Sequence, residues 1–199
     1  MTKPKEAKSK PAYHHGDLRA ALLRAGEAVL RRDGVVGLGV RAVTREAGVS
    51  HTAAKPHFGN LDALRAEIAA LGYERLAEAL TQAQQVRPLR AMRVALARSY
   101  VHFAYDNPAL FELMFRHQLV DMTHPALVAA TARAIRAIAG DTSSESLGRE
   151  DAIRITAGWA YVHGLAVLLI EKRLRGVQKD LPSFALYWSS RTQFSKVWP

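Results

Sequence analysis

At 199 residues the chain can form one domain with a full core, or a small domain joined to a larger one. A hydrophobic fraction of 49% excludes an intrinsically disordered protein, and the lack of cysteine excludes disulfides and thiolate metal sites while remaining compatible with a reducing cytoplasm. The net charge of +10 lies toward the front: residues 1–60 hold 11 Lys/Arg against 5 Asp/Glu, whereas residues 61–199 hold 17 against 13. Such a balance suits a polyanion, although it also serves plain solubility.

Ala, Leu and Arg dominate and β-branched residues are scattered, which predicts an all-α fold. Residues 1–12 carry four Lys and two Pro without an apolar anchor. They are expected to be a disordered basic arm, either a loose tail or a segment that follows DNA phosphates. No apolar stretch follows, so no signal peptide is expected. His14 and His15 are adjacent at a helix start and diverge, which argues against a metal pair. A first helix is predicted over about 16–33. Asp17 lies near its start, Leu18, Leu22, Ala25 and Val29 share one face, and Gly34 ends it. A second, about 40–47, places Val40, Val43 and Ala47 together behind a weak cap, Gly39. Next comes Ala47-Gly48-Val49-Ser50: Gly48 can take positive φ, Val49 faces inward and Ser50 can cap a third helix. This spacing fits a helix-turn-helix and, equally, an ordinary corner between two helices.

A fourth helix, about 61–81, carries Leu61, Leu64, Ile68 and Leu71. "QQVRPL" then breaks the pattern and marks the start of a larger C-terminal unit, 82–199, after an N-terminal unit at 13–60. The fifth helix, about 88–105, has Leu89, Met92, Leu96, Tyr100 and Phe103 on its apolar side. Pro108 opens a sixth near its N1 position. "THP" at 123–125 starts a seventh, which runs to about 139, and 140–146 form a polar loop. An eighth, about 148–175, is apolar on two faces: Ile153, Ala157, Ala160 and Gly164 on one, Ile155, Trp159, Val162 and Ala166 on the other. A helix so apolar is expected to meet two partners, its own core and a second subunit. Its apolar run, Ala157 to Ile170, is read as too short to cross a bilayer.

"YHHGDLRAALLRAGEAVL…VRAVTREAGVSHTAAKPHFGNLDAL" resembles the N-terminal domain of TetR-type transcriptional regulators. "YVHFAYDNPALFELMF" and "GWAYVHGLAVLLIEKRL" resemble the C-terminal domain named for its Trp…His-Gly signature, here Trp159, His163 and Gly164. The likeness spans about 13–175. It implies an N-terminal three-helix DNA-binding domain and a C-terminal ligand-binding and dimerisation domain. It further implies a cytoplasmic homodimer on a palindromic double-stranded DNA operator, repressing until a small-molecule effector releases it. It implies no enzyme activity, cofactor, metal or membrane. Two recognition helices would then sit about one DNA turn apart, roughly 34–36 Å.

Position by position, the resemblance makes Ser50 to Phe58 the recognition helix. Ser50, His51, Thr52 and Ala53 fall at its reading end. His51 could donate to a guanine edge and Thr52 touch a thymine methyl. Arg41, Thr44 and His57 match positions that meet phosphates, and Phe58 matches a core position. Three residues depart from the family. Lys55 replaces a common Tyr, Leu61 replaces a Lys that contacts phosphate, and Pro56 falls within the helix. Proline there removes the N–H bond to Thr52 and disfavours helical geometry at Lys55. A shortened or kinked helix that keeps its reading end is expected, with a weakened reader as the rival.

Phe103, Tyr105, Phe111, Met114, Phe115, Trp159 and His163 are the candidate effector contacts, each able instead to be simple core. Trp159 and His163, at i and i+4, share a face that offers a stacking surface and one polar group. The tail 177–199 departs from the apolar helix that the family usually places at its dimer interface. Enzyme motifs are missing: there is no His-Glu-x-x-His, Gly-x-Ser-x-Gly or phosphate-binding glycine loop. The remaining alternative is a dimer that binds or sequesters a small molecule with its DNA reader weakened.

Overall fold

The computed structural model describes residues 15–139 and 148–174, which form eight α-helices with no strand among them. The basic arm, the 140–146 loop and the tail 177–199 lie outside the described residues. The first helix, α1 (His15–Gly37), buries Leu22, Val29 and Leu30. It breaks at Gly34, whose φ of 70° is a glycine conformation, so only residues 35–37 continue beyond the expected end. Then come α2 (Val40–Glu46), α3 (His51–Phe58) and α4 (Leu61–Ala83). Asn60 starts α4 by accepting a hydrogen bond from the Ala63 N–H at 2.8 Å.

Helix α4 is the axis of the molecule. Near its start, Leu64 and Ile68 complete the core of the first three helices, and Ile68 packs against Gly26. A Cβ on Gly26 would lie 2.5 Å from Ile68 Cδ1, so the glycine lets α1 and α4 approach closely. Further on, Gly72 makes room for Met114 and Leu110, and α4 runs along α7 for most of its length. The helices α5 (Leu89–Asp106), α6 (Pro108–Phe115, with Pro108 in the first turn), α7 (Pro125–Ala139) and α8 (Arg149–Ile170) build the larger unit. A 3₁₀ turn, His117–Leu119, links α6 to the approach of α7.

The expected bounds of α8 need one correction. It ends at Ile170 rather than about 175. Within this chain it buries one narrow stripe, Gly158, Val162, Ala166 and Leu169, because α5 and α7 cover only that side. Ile153 (59% exposed) and Leu168 (42%) stand on an uncovered apolar face. An 18-residue stretch of this helix reaches mean hydropathy 1.5, the length and apolar content of a membrane-crossing segment, which the shorter run 157–170 does not suggest. Its packed stripe and the Glu150, Asp151 and Arg154 charges in its first turns are those of a helix lying on a protein core.

One polar cluster links α1, α4 and the segment before α7. Glu67 on α4 is almost fully buried and pairs with Arg19 of α1. His124, just before α7, brings Nε2 to 3.6 Å from the same carboxylate. Nearby, the Asp121 N–H reaches the Asp62 carbonyl at 3.4 Å.

Candidate nucleic-acid interface and small-molecule cavities

The turn between α2 and α3 is closed by backbone bonds, Gly48 N–H to the Arg45 carbonyl at 3.1 Å and Val49 N–H to the Thr44 carbonyl at 2.9 Å. Gly48 takes φ of 68°, as the turn requires, and Val49 packs onto the core. Ser50 does not cap α3 with its side chain. Its Oγ instead lies 3.0 Å from Thr52 Oγ1. Ala54 and Phe58 anchor α3 to the core, and Arg19 lies 5.9 Å above the Phe58 ring. With those two inward, the helix turns Ser50, His51, Thr52, Lys55 and Pro56 outward, while Ala53 and His57 are half-buried.

Pro56 does not interrupt the helix. The helical run continues from His51 through Phe58 and ends at Gly59, with φ of 69°. Lys55 stays helical and exposed. The physical reason is position: Pro56 is in the last turn, and its ring faces solvent rather than the core. Leu61, where the family pattern has Lys, packs against the core at the start of α4.

Arg41 is exposed on α2 beside this surface, and among the described residues neither Arg41 nor Lys55 has an ion-pair partner. Thr44 is a correction. At 3% exposure it cannot reach a phosphate, and its hydroxyl donates to the Arg41 carbonyl at 3.2 Å. It holds the turn, since its own carbonyl accepts from Val49.

Among the described residues, the larger unit holds two cavities big enough for a small molecule. One, of about 320 Å³, lies between α4, α5, α7 and α8, walled mainly by Tyr73, Tyr100, Phe115, Met122, Ile135 and Trp159. The other, of about 400 Å³, is a cleft between α6 and α8, floored by Phe111, Phe115, His163, Val167 and Ile170. Phe115 lines both. Of the expected contacts, Phe115 and Trp159 reach the first cavity, and Phe111, Phe115 and His163 the second. Phe103 and Met114 are core residues: both are buried, and the Met114 thioether fills the space beside Gly72. Tyr105 is exposed. Tyr100 and Tyr73 are the wall residues that residue type alone did not single out as contacts.

The polar groups of these walls are connected. Trp159 Nε1–H donates to the Tyr100 hydroxyl at 3.1 Å, and that hydroxyl lies 2.9 Å from His163 Nδ1. The His163 ring also packs edge-on to Phe115 and stacks on Phe111, with centroids 4.4 and 5.3 Å away. Burial lowers the His163 pKa below the ordinary histidine value and raises that of the Tyr100 phenol. Tyr73 is likewise pushed up by burial to about 12, and its hydroxyl donates to the Met114 carbonyl at 3.0 Å.

Residues 93–186 match the family model described as the tetracyclin repressor-like C-terminal domain. The chain is 25% identical over 178 residues to YobS of Bacillus subtilis, an uncharacterised HTH-type transcriptional regulator; the match covers 87% of this chain and 89% of that one. Among solved structures, a protein of unknown function from Rhodococcus sp. RHA1 is similar at 31% identity and TM-score 0.70, over 90% of this chain and 97% of the other. A TetR-family regulator from Streptomyces coelicolor shares the fold at 18% identity and TM-score 0.58, over 95% and 99% of the two chains. Helix order and the α2–turn–α3 geometry agree with these relatives: the chain has the TetR-like all-α fold, and its C-terminal half matches the tetracyclin repressor-like C-terminal domain.

Proposed function

We propose that the chain is a ligand-responsive transcriptional regulator, acting as a repressor that binds a palindromic operator as a cytoplasmic homodimer and is released by a small-molecule inducer. The observation that carries this reading is the outward face of α3. His51 and Thr52 stand exposed at its start, flanked by Arg41 and Lys55, on a helix anchored by Ala54 and Phe58. Ser50 and Ala53 border the base-reading end, and His57 lies toward the phosphates. This arrangement supplies base-reading groups in the first turn and cations on either side for backbone phosphates. The uncovered apolar face of α8, around Ile153 and Leu168, supports a two-fold interface with a second copy.

The inducer site is the cavity walled by Tyr73, Tyr100, Phe115 and Trp159. Its volume of about 320 Å³ and largely apolar walls suit a small amphipathic molecule. The Trp159, His163 and Gly164 pattern supports the Trp…His-Gly subtype. A ligand that fits one spacing of the two heads better than the DNA-bound spacing lowers operator affinity by that difference.

Fluorescence anisotropy tests this reading, using labelled DNA from upstream of the protein's own gene against scrambled DNA over a salt series. Sequence-selective binding at physiological salt supports a repressor. Binding that ignores sequence and vanishes with salt, on every DNA from the gene's neighbourhood, favours the second reading, a dimer that binds a small molecule with a degenerate DNA reader. That reading draws on Lys55, Pro56 and Leu61, which together remove contacts the family commonly makes.

A further inference from the structure

The α6–α8 cleft is separated from the inducer cavity by Phe115, and it has its own polar group. The hydrogen-bond chain beneath it determines what that group is. Indole Nε1 can only donate, so the Tyr100 oxygen accepts from Trp159. Tyr100 is 2% exposed, and its one hydroxyl hydrogen has a single acceptor in reach among the described residues, His163 Nδ1 at 2.9 Å. A hydrogen on Nδ1 would aim both that N–H and the indole N–H at the phenol oxygen and leave the hydroxyl hydrogen without an acceptor among the described residues. The ring is therefore neutral with its proton on Nε2, and burial of His163 favours the same state. Nε2 makes no hydrogen bond within the described protein and is not among its buried unpaired atoms, so it opens to the cleft that the ring lines.

We infer that the α6–α8 cleft is a second small-molecule site, distinct from the inducer cavity, that takes a neutral flat compound carrying a carbonyl acceptor. Phe111 and Phe115 supply the stacking surfaces, Val167 and Ile170 the apolar floor, and His163 Nε2–H the one directed donor. The rim holds Glu112, Glu171 and Arg116, with Glu112 and Arg116 paired at 2.5 Å. Glu171 in turn pairs with Arg173 at 3.6 Å, so the charges of the rim are already matched and offer no unpaired cation to a carboxylate ligand. The donor opposes an ammonium group.

Imidazole ¹⁵N NMR of the full chain, followed by titration with acetophenone, benzoate and benzylamine, tests both halves. The expected spectrum has His163 protonated at Nε2 and bare at Nδ1, and Tyr100→Phe mixes the two tautomers. Acetophenone then shifts His163 Nε2 together with Phe111 and Val167, and binds more tightly than either charged probe. His163→Ala weakens it by roughly two- to tenfold, the worth of one neutral hydrogen bond. A proton on Nδ1 overturns the inference. So does a ketone that leaves His163 unmoved, or one that shifts Met122 and Ile135 in the other cavity instead. None of these readouts involves DNA, so failure of the operator experiment leaves this test standing.

Discussion

Replacing Pro56 by Ala returns an N–H to the last turn of α3. The helix already runs unbroken through this position and the ring faces solvent, so the change opens no cavity and relieves little crowding. Of the ~3 kcal/mol that proline costs inside a long helix, the recoverable part is the missing bond to Thr52 and some residual strain, about 1–2 kcal/mol. Losing proline also loosens the unfolded chain, which offsets about 0.4–1 kcal/mol. The net expectation is a gain near 1 kcal/mol, or roughly 2–4 °C in Tm for a chain of this size. The assay is thermal circular dichroism at one fixed protein concentration, because assembly makes Tm concentration-dependent. Operator affinity should stay within about threefold (~0.7 kcal/mol), since His51 and Thr52 stand a full turn earlier. A fall in Tm would refute the reasoning: proline would then be preorganising the helix end rather than weakening it.

Arg41→Ala and Lys55→Ala should each weaken operator and scrambled DNA alike and reduce the salt slope by about 0.9, as measured by anisotropy between low and moderate salt. His51→Ala should cost about 1–3 kcal/mol on the operator and relax selectivity at one base pair, read from a panel of single-base variants. Gly72→Ala places a methyl 2.6 Å from the Met114 sulfur and 3.1 Å from Leu110 Cγ, so urea unfolding should show a loss of about 1–2 kcal/mol. Ile153→Glu combined with Leu168→Glu should leave the fold intact by circular dichroism and convert a dimer to a monomer in sedimentation; a dimer that survives both charges is held elsewhere.

Periodicity and turn chemistry carried much of the architecture. Gly34 and Gly48 mark helix ends because few other residues accept their φ, and Pro108 marks a start because its missing N–H costs nothing there. What a repeat of apolar residues does not state is the partner each face meets. Hence the two apolar faces of α8 are legible in the sequence, but not which of them meets this chain's own core: its neighbours cover only the stripe through Val162 and Ala166. The same gap separates Phe115, which walls a cavity, from Phe103 and Met114, which fill the core: type and spacing are alike, and only the tertiary arrangement differs. Thr44 was misread for a related reason. A short polar side chain on α2 can reach out to phosphate or back to its own helix, and here it turns back to Arg41. The Trp159–Tyr100–His163 chain joins residues 59 and 63 positions apart, which no local pattern encodes.

The carboxylate of Glu67 bears on how the molecule comes apart. It is anchored in α4, held by Arg19 from the reading head and approached by His124 from the body. Peeling the head away would expose Leu64 and Ile68 and leave a charge deep in the fold without its guanidinium. Partial opening is therefore costly at the seam itself, and the two halves are bound into one cooperative unit. A calorimetric trace with a single peak, its van't Hoff and calorimetric enthalpies equal once assembly is accounted for, is the thermodynamic form of that seam.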